Sequence, residues 1–504
     1  MLRRAGVDRS DLYLAWDFTV GSARSLAGRL LHIRNDAFDQ LGDHDLGDGK
    51  VDGNAPTFTL TRIVDSVRPV TDPFCQGGVP LGDIPSVQIK CDGQTNDNIA
   101  LDVRGTMDVP CYLDTPACAP AHSQFLLDAN GNPQQLAGNV MQVDFECRVP
   151  RSAYDHPGES RPSLYGHGLF GSYGEVRAGN VGAMGNEHNF TFCATDWAGM
   201  ATSDVPNVAT ILTDVSSFPT LADRVQQGIV NFLYLGRLMI HPHGLTDTPA
   251  FRTDDNRPLL DTGELYYDGN SQGGIIGGAL TAVAPDFTRA VLGVPGMNYS
   301  TLLTRSTDFG DGTAPDPATA DPTDPTGSVS YAYPLYTSYP NEMERPLLLA
   351  LIQSLWDRAE PDGYAQHMTS DPYPKTPAHT VLLHPAFGDH QVANVAADTE
   401  ARTIGASAQQ PALDPGRSKD VTPLWGIPPI TDPAFGGSAI VYWDSGVPAA
   451  PTNNTAPHGD HDPHGDPRST RAARAQKAAF LAPDGRVIDT CGGAPCHTDA
   501  YQAP

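Results

Sequence analysis

Positive charge is scarce in this chain. Its 504 residues carry 32 Lys and Arg against 59 Asp and Glu, a formal net charge of -27, and most of the cations are arginines. Such a surface repels phosphate backbones and anionic membranes, which argues against nucleic acid as a partner. Long apolar runs are missing too. No stretch is long enough to span a bilayer. The opening MLRRAGVDRS has a charged start with no apolar core behind it, so no export signal is visible. There is no CxxC pair and no HExxH motif, which removes two common zinc frameworks. No internal repeat recurs.

What the chain does have in quantity is Gly (50) and Pro (45), beside a hydrophobic share of 39%. That is the composition of a folded globular protein with many turns. The length exceeds one ordinary core, so two units are expected. Residues 1–155 read as β-rich, with runs at Thr57 to Val64, Ser86 to Lys90 and Met141 to Arg148 broken by Gly, Pro and Asp clusters. The cysteines number eight. Cys75 with Cys91, Cys111 with Cys118 and Cys491 with Cys496 are close enough to close local loops, which predicts bridges and an oxidising compartment. Free buried thiols are the plainer alternative. If the bridges form, secretion requires a signal that was removed or lies ahead of these residues.

From about residue 156 the pattern changes to short apolar strands alternating with helices, the mark of an α/β unit with a mostly parallel sheet covered on both faces. Strands are expected at Arg161 to Tyr165, Phe190 to Asp196, Gly263 to Tyr267, Arg289 to Val294, Thr380 to His384 and Ser438 to Trp443. Helices are expected at Leu221 to Ile240, with one broad apolar stripe, at Gln272 to Val283, and at Thr470 to Leu481. The unit runs to about 485, and 486–504 form a Cys-containing tail. Within it, residues 297–360 read as a lid-like insertion: an Asp/Pro/Thr-rich loop from Asp308 to Ser328, an aromatic run from Tyr331 to Tyr339, and an apolar helix from Pro346 to Trp356. A helix simply packed on the sheet is the competing reading of that last segment.

The sharpest chemical signal is Gly269, Asn270, Ser271, Gln272, Gly273, a G-x-S-x-G between a strand and a Gly-rich helix. A hydroxyl that attacks a carbonyl must stand clear of the sheet on a strained turn, and the flanking glycines let strand and helix crowd together there. Ser271 is therefore the candidate nucleophile; a capping serine at a helix start is the alternative. About a hundred residues earlier, after a strand, stands Gly166, His167, Gly168, Leu169, Phe170, Gly171. Acyl transfer needs N–H donors aimed at a developing oxyanion, and a glycine-rich loop of this kind supplies one.

With both motifs in place the chain resembles the serine esterases and lipases of the α/β-hydrolase superfamily, over about residues 160 to 482. It also resembles large secreted bacterial lipase or polyesterase-like proteins with a β-rich N-terminal region. The resemblance implies an α/β-hydrolase fold and carboxylic ester hydrolysis through an acyl-enzyme, with no cofactor and no metal. It implies oxyanion donors at the amides of Gln272 and of Leu169, or less readily Phe170, with His167 structural. The superfamily order of Ser, then acid, then His implies Asp389 as the orienting acid, against a helix-capping role. It implies a base among His458, His461 and His464, with His464 favoured because it directly precedes the last helix. The superfamily's strand order makes the second and fourth strands neighbours, which implies a Cys147 to Cys193 bridge.

Other readings of the same residues are a serine peptidase or acyltransferase on this scaffold, or a non-catalytic surface binding protein that keeps the fold. The His/Asp-rich stretch 458–466 could instead hold a metal, although a flexible loop of that kind binds weakly. Asp43, Asp45, Asp48 and Asp52 lack the spacing of an EF-hand loop and read as a solvated acidic turn. The substrate implied is a small or polymeric ester, with apolar acyl groups suggested by the insertion.

Overall fold

A parallel strand buried on both faces must be apolar almost throughout, and that requirement orders the sheet. The computed structural model describes residues 8, 21–76, 87–92, 96–310, 330–432, 435–458 and 461–503. Eleven strands form one sheet: β1 (Phe58–Asp65), β2 (Gln88–Cys91), β3 (Ile99–Pro110), β4 (Val140–Pro150), β5 (Arg161–Gly166), β6 (Phe190–Thr195), β7 (Tyr266–Asn270), β8 (Arg289–Gly293), β9 (Thr380–His384), β10 (Ser407–Ala408) and β11 (Ala439–Ile440). Their order is β10-β11-β9-β8-β7-β5-β6-β4-β3-β1-β2. The strands from β5 to β11 are mutually parallel, and β4 joins them antiparallel through β6. Every residue of β6 and β7 is buried.

Alternate strand residues serve two cores, as the two-residue period of a strand dictates. Tyr266, Val291 and Leu382 pack with the helices Gly179–His188 and Arg471–Phe480 on one face. Tyr267, Leu292 and Leu383 pack with Pro219–Ile240, Gln272–Val283 and Asn394–Thr403 on the other.

Several expectations change. The β-rich N-terminal stretch was expected as a unit of its own, yet its strands continue the same sheet. Pairing of β4 with β6 gives the otherwise bare edge of the parallel strands a hydrogen-bonding partner. The helix Pro219–Ile240 was expected to show one apolar stripe, but it is buried on all sides from Leu221 to Ile240. Several of its polar residues meet partners in the N-terminal stretch. Arg237 pairs with Asp43 and Asp286, each at 2.8 Å, Gln227 accepts from the Tyr112 amide at 3.1 Å, and Asp223 accepts from the Phe125 amide at 3.1 Å. Asp43 is therefore a buried ion-pair partner and not part of a solvated turn. Finally, the strand expected at Gly263 to Tyr267 lies later, at Tyr266–Asn270, and runs directly into Ser271.

The expected strand Ser438 to Trp443 splits. Ala439–Ile440 joins the main sheet between β9 and β10, and Trp443–Asp444 pairs with Cys496–His497 of the tail in a small parallel ribbon. Ser86 and residues 311–328 of the Asp/Pro/Thr-rich stretch lie outside the described residues. All eight cysteines are bridged: Cys75–Cys91, Cys111–Cys118, Cys147–Cys193 and Cys491–Cys496. Cys147 and Cys193 are direct partners in the β4–β6 register, so this bridge staples the N-terminal strands to the parallel ones. Replacing both by alanine is expected to lower the unfolding free energy by about 2 to 4 kcal/mol. Denaturant titration checks this, and an unchanged midpoint would mean that the bridge is not formed.

Candidate active site

Strand β7 ends at Asn270, and the next helix begins at Gln272, so Ser271 alone must turn the chain. It does so at φ 61° and ψ -124°, a conformation that a residue with a side chain reaches only under strain. Two glycines make the turn possible by allowing close approach. A Cβ on Gly273 would lie 2.1 Å from the carbonyl oxygen of Gly166, and one on Gly269 would lie 2.4 Å from that of Gly273. The Ser271 amide is anchored to the carbonyl of Gly293 at 3.0 Å. A strand, a strained serine and a helix packed on a mostly parallel sheet are now in view. The fold is that of the α/β hydrolases.

In this α/β-hydrolase fold the loop after β5 faces the serine turn. A Cβ built on Gly168 would stand 3.8 Å from that of Ser271. The loop is held by His167 and by Glu175, of which the sequence gives no reason to single out the second. The Glu175 carboxylate accepts the Gly168 amide at 2.9 Å. His167, fully buried, accepts the Trp197 amide at Nε2 (2.8 Å), which fixes the proton on Nδ1 for donation to the Gly168 carbonyl at 2.8 Å. Burial lowers the His167 pKa to about 4, so the ring is neutral and structural, in keeping with its expected role. Burial also raises the pKa of Glu175, although the Gly168 amide opposes this. Once Gly168 is bonded to Glu175, the amides of Leu169 and Phe170 are left without an acceptor among the described residues. Gln272 is the first residue of its helix, whose amide has no intrahelical acceptor.

Asp389 and His464 meet directly. The imidazole donates from Nδ1 to both carboxylate oxygens of Asp389, at 3.0 and 2.9 Å, and both residues are buried. Its Nε2 is buried and makes no hydrogen bond. Asp389 also accepts the amides of Gln391 (2.9 Å) and Val392 (3.0 Å). It therefore fixes its own loop, while the following helix begins later, at Asn394.

The other two candidate histidines are elsewhere. His461 bonds Asp466 at 2.7 Å and is largely exposed, and His458 is exposed. Asp462 joins the two loops by accepting the His464 amide at 3.1 Å and the Gln391 side chain at 2.8 Å. Asp466 accepts the Ser445 hydroxyl at 2.6 Å as well as meeting His461, so both aspartates already bind protein groups. A buried ion pair, Lys477 to Asp268 at 2.9 Å, ties the helix after His464 to β7 just before Ser271.

Ser271, Gln272, Leu169, Phe170, Gln391 and Val392 border a pocket of about 820 Å³, part of it open to solvent. Its remaining walls are almost wholly apolar. Val208, Ile211 and Leu212 line it on one side, and Leu335, Leu349, Ile352 and Trp356 from helices Ala332–Ser338 and Arg345–Trp356 line it on another. The second helix does not lie flat on the sheet. Its inner residues Leu349, Ile352 and Trp356 face the pocket, whereas Leu347 and Leu351 are 63% and 62% exposed.

No protein-family model matches the chain, and no curated protein does. Among solved structures it is similar to acetyl xylan esterase 1 from Thermoanaerobacterium sp. JW/SL YS485, at 13% identity over 77% of this chain and 90% of that one, TM-score 0.36. It is also similar to Est1E from Butyrivibrio proteoclasticus, at 14% identity over 52% and 82%, TM-score 0.27. A third is a putative dienelactone hydrolase from Klebsiella pneumoniae subsp. pneumoniae MGH 78578, at 12% identity over 52% and 75%, TM-score 0.27.

The neutral buried His167 has a consequence for stability. Its folded-state pKa is depressed from 6.5 to about 4, so its contribution is complete above the unfolded pKa and is lost as the pH falls through that window. The slope is at most about 1.4 kcal/mol per pH unit for this one group. Urea unfolding between pH 7 and pH 4 is expected to show a shallower decline for His167→Gln than for the wild type. Parallel curves would show that the imidazole does not titrate there.

Proposed function

We propose that this protein is a serine hydrolase of carboxylic esters that works through an acyl-enzyme. The observation that carries the reading is the strained Ser271 at the mouth of an apolar pocket, together with a buried Asp389–His464 pair whose Nε2 is unpaired. In this reading Ser271 Oγ attacks the ester carbonyl while His464 Nε2 takes its proton. The Asp389 carboxylate stabilises the resulting imidazolium without being protonated. The amides of Leu169 and Gln272 receive the oxyanion. His464 then returns the proton to the leaving alcohol, and water, activated by the same nitrogen, releases the acid.

The pocket walls favour an apolar acyl group, since each buried methylene is worth about 0.8 kcal/mol. The helices Ala332–Ser338 and Arg345–Trp356 act as a lid over it. Nothing among the lining residues offers a cation for a charged acyl chain or a row of donors for a peptide backbone, which favours esterase over peptidase. Four disulfides together with an acidic surface support an extracellular or periplasmic setting. No helix of the described residues is long and apolar enough to cross a membrane.

Steady-state hydrolysis of p-nitrophenyl esters tests the assignment. His464→Ala and Asp389→Asn are expected to lower kcat by roughly 10³ to 10⁴-fold, while His461→Ala leaves it near wild type. With straight-chain acyl groups, kcat/KM should climb by about fourfold per methylene until the pocket is filled. Full activity in His464→Ala, or a preference for charged or peptide substrates, would contradict the reading.

A further inference from the structure

The residue after the candidate nucleophile is a glutamine, and its side chain has been given no task so far. Gln272 is 2% exposed and borders the apolar pocket beside Ser271. Its Oε1 accepts the hydroxyl of Tyr299, while its Nε2 is enclosed and has no hydrogen-bond partner. A carboxamide nitrogen carries two donors. Buried donors are nearly always paired, because an unmade bond forfeits what water would have supplied.

Tyr299 fixes which end of the carboxamide is which. It is buried, and burial raises its pKa well above the usual tyrosine value, so the hydroxyl keeps its proton. That proton needs an acceptor, and Oε1 is the one it meets. Exchanging the two ends of the carboxamide would orphan it. Tyr299 is itself held, since its ring stacks on Trp356 at 4.4 Å between centroids and its amide donates to Glu360 at 3.0 Å. Tyr299 and Trp356 both border the pocket, so the carboxamide lies in its wall. The other carboxamide of that wall, Gln391, already donates to Asp462 at 2.8 Å.

The unpaired donor is therefore preset. In an apolar cavity such a group discriminates between ligands of one shape. A ligand that brings an acceptor completes the bond, whereas one that brings a methylene leaves the donor buried and unpaired. Position narrows the acceptor further. The backbone amide of Gln272 is a proposed oxyanion donor, and Nε2 is only one glutamine side chain away from it. An acceptor for Nε2 thus belongs a few bonds from the reacting carbonyl, on the acyl side that the apolar walls receive.

We propose that Gln272 is the specificity-determining residue of this pocket, its Nε2 donating to an oxygen carried by the acyl chain a few bonds from the reacting carbonyl. The substrate class is an ester whose otherwise apolar acyl chain bears a hydroxyl, ether or ester oxygen near that carbonyl, and not a plain fatty acyl ester. This inference rests on the ester-hydrolase reading and narrows it.

The test uses p-nitrophenyl pentanoate beside its two ether analogues of the same shape, the ethoxyacetate and the 3-methoxypropanoate, in which oxygen replaces one methylene. Ratios of kcat/KM are taken within each protein, so a general change in activity cancels. The ratios of alkaline hydrolysis in enzyme-free buffer correct for intrinsic reactivity. The wild type is expected to prefer at least one ether ester over the pentanoate by roughly tenfold beyond the buffer ratio. Gln272→Met, which keeps the length and loses the donor, should bring the preference back to the buffer ratio. So should Gln272→Met combined with Tyr299→Phe, in which no buried hydroxyl is left without an acceptor. A wild-type preference no greater than in buffer for either ether would overturn the proposal and leave the esterase reading standing, as would a preference that survives in both variants. A folded wild type that turns over none of the three esters would overturn the esterase reading and this proposal with it.

Discussion

The carbonyl of Gly166 and the backbone of Gly273 nearly touch, and the rest of the site depends on that contact. A single methyl group at residue 273 would lie 2.1 Å from the Gly166 oxygen, so only glycine lets the Gln272 helix start this close to the ends of β5 and β7. The approach sets three things at once. It forces Ser271 into its positive φ, it aims the first amides of the helix outward, and it brings the loop after β5 alongside the serine. The strain at Ser271 is carried by regular structure on both sides, since its amide is bonded to β8 and strand β7 before it is buried throughout.

Around that contact, buried polar groups set the loops with little freedom. His167 and Glu175 fix the glycine-rich loop from opposite sides, one through Trp197 and the Gly168 carbonyl, the other through the Gly168 amide. Asp389, Asp462 and His464 form a second set, in which one carboxylate takes the imidazole while the other binds the two loops together. Each polar group is held by a named partner, so these loops have few alternative arrangements to sample. The exception is His464 Nε2, the one atom of this set left for an outside proton.

Much of this was legible in the sequence, and the gaps have physical causes. G-x-S-x-G and the HGLFG loop are local signals, because the chemistry they serve is a matter of backbone conformation and glycine clearance. Five of the six strands expected for the parallel unit survive with small shifts because buried parallel strands announce themselves as short apolar runs. Among His458, His461 and His464 the sequence favoured His464 by its place before the last helix; the contact that sets His464 apart in the structure, with Asp389, spans 75 residues and is not written in any local pattern. Glu175 carried no motif, since its role is a single contact with the Gly168 amide. The continuity of the N-terminal strands with the parallel sheet depends on the β4–β6 pairing, and the buried Pro219–Ile240 helix on partners more than 90 residues distant. Composition pointed to neither, although the Cys147 and Cys193 pairing implied by the family resemblance did anticipate the first.

The central claim is that the strained turn makes Ser271 the reactive serine of the chain. Reaction with a fluorophosphonate followed by peptide mass mapping addresses it directly. The account predicts one adduct per chain, on the peptide containing Ser271, and far slower labelling in His464→Ala. A folded wild-type protein that takes up no label, or takes it up on another serine, would contradict it.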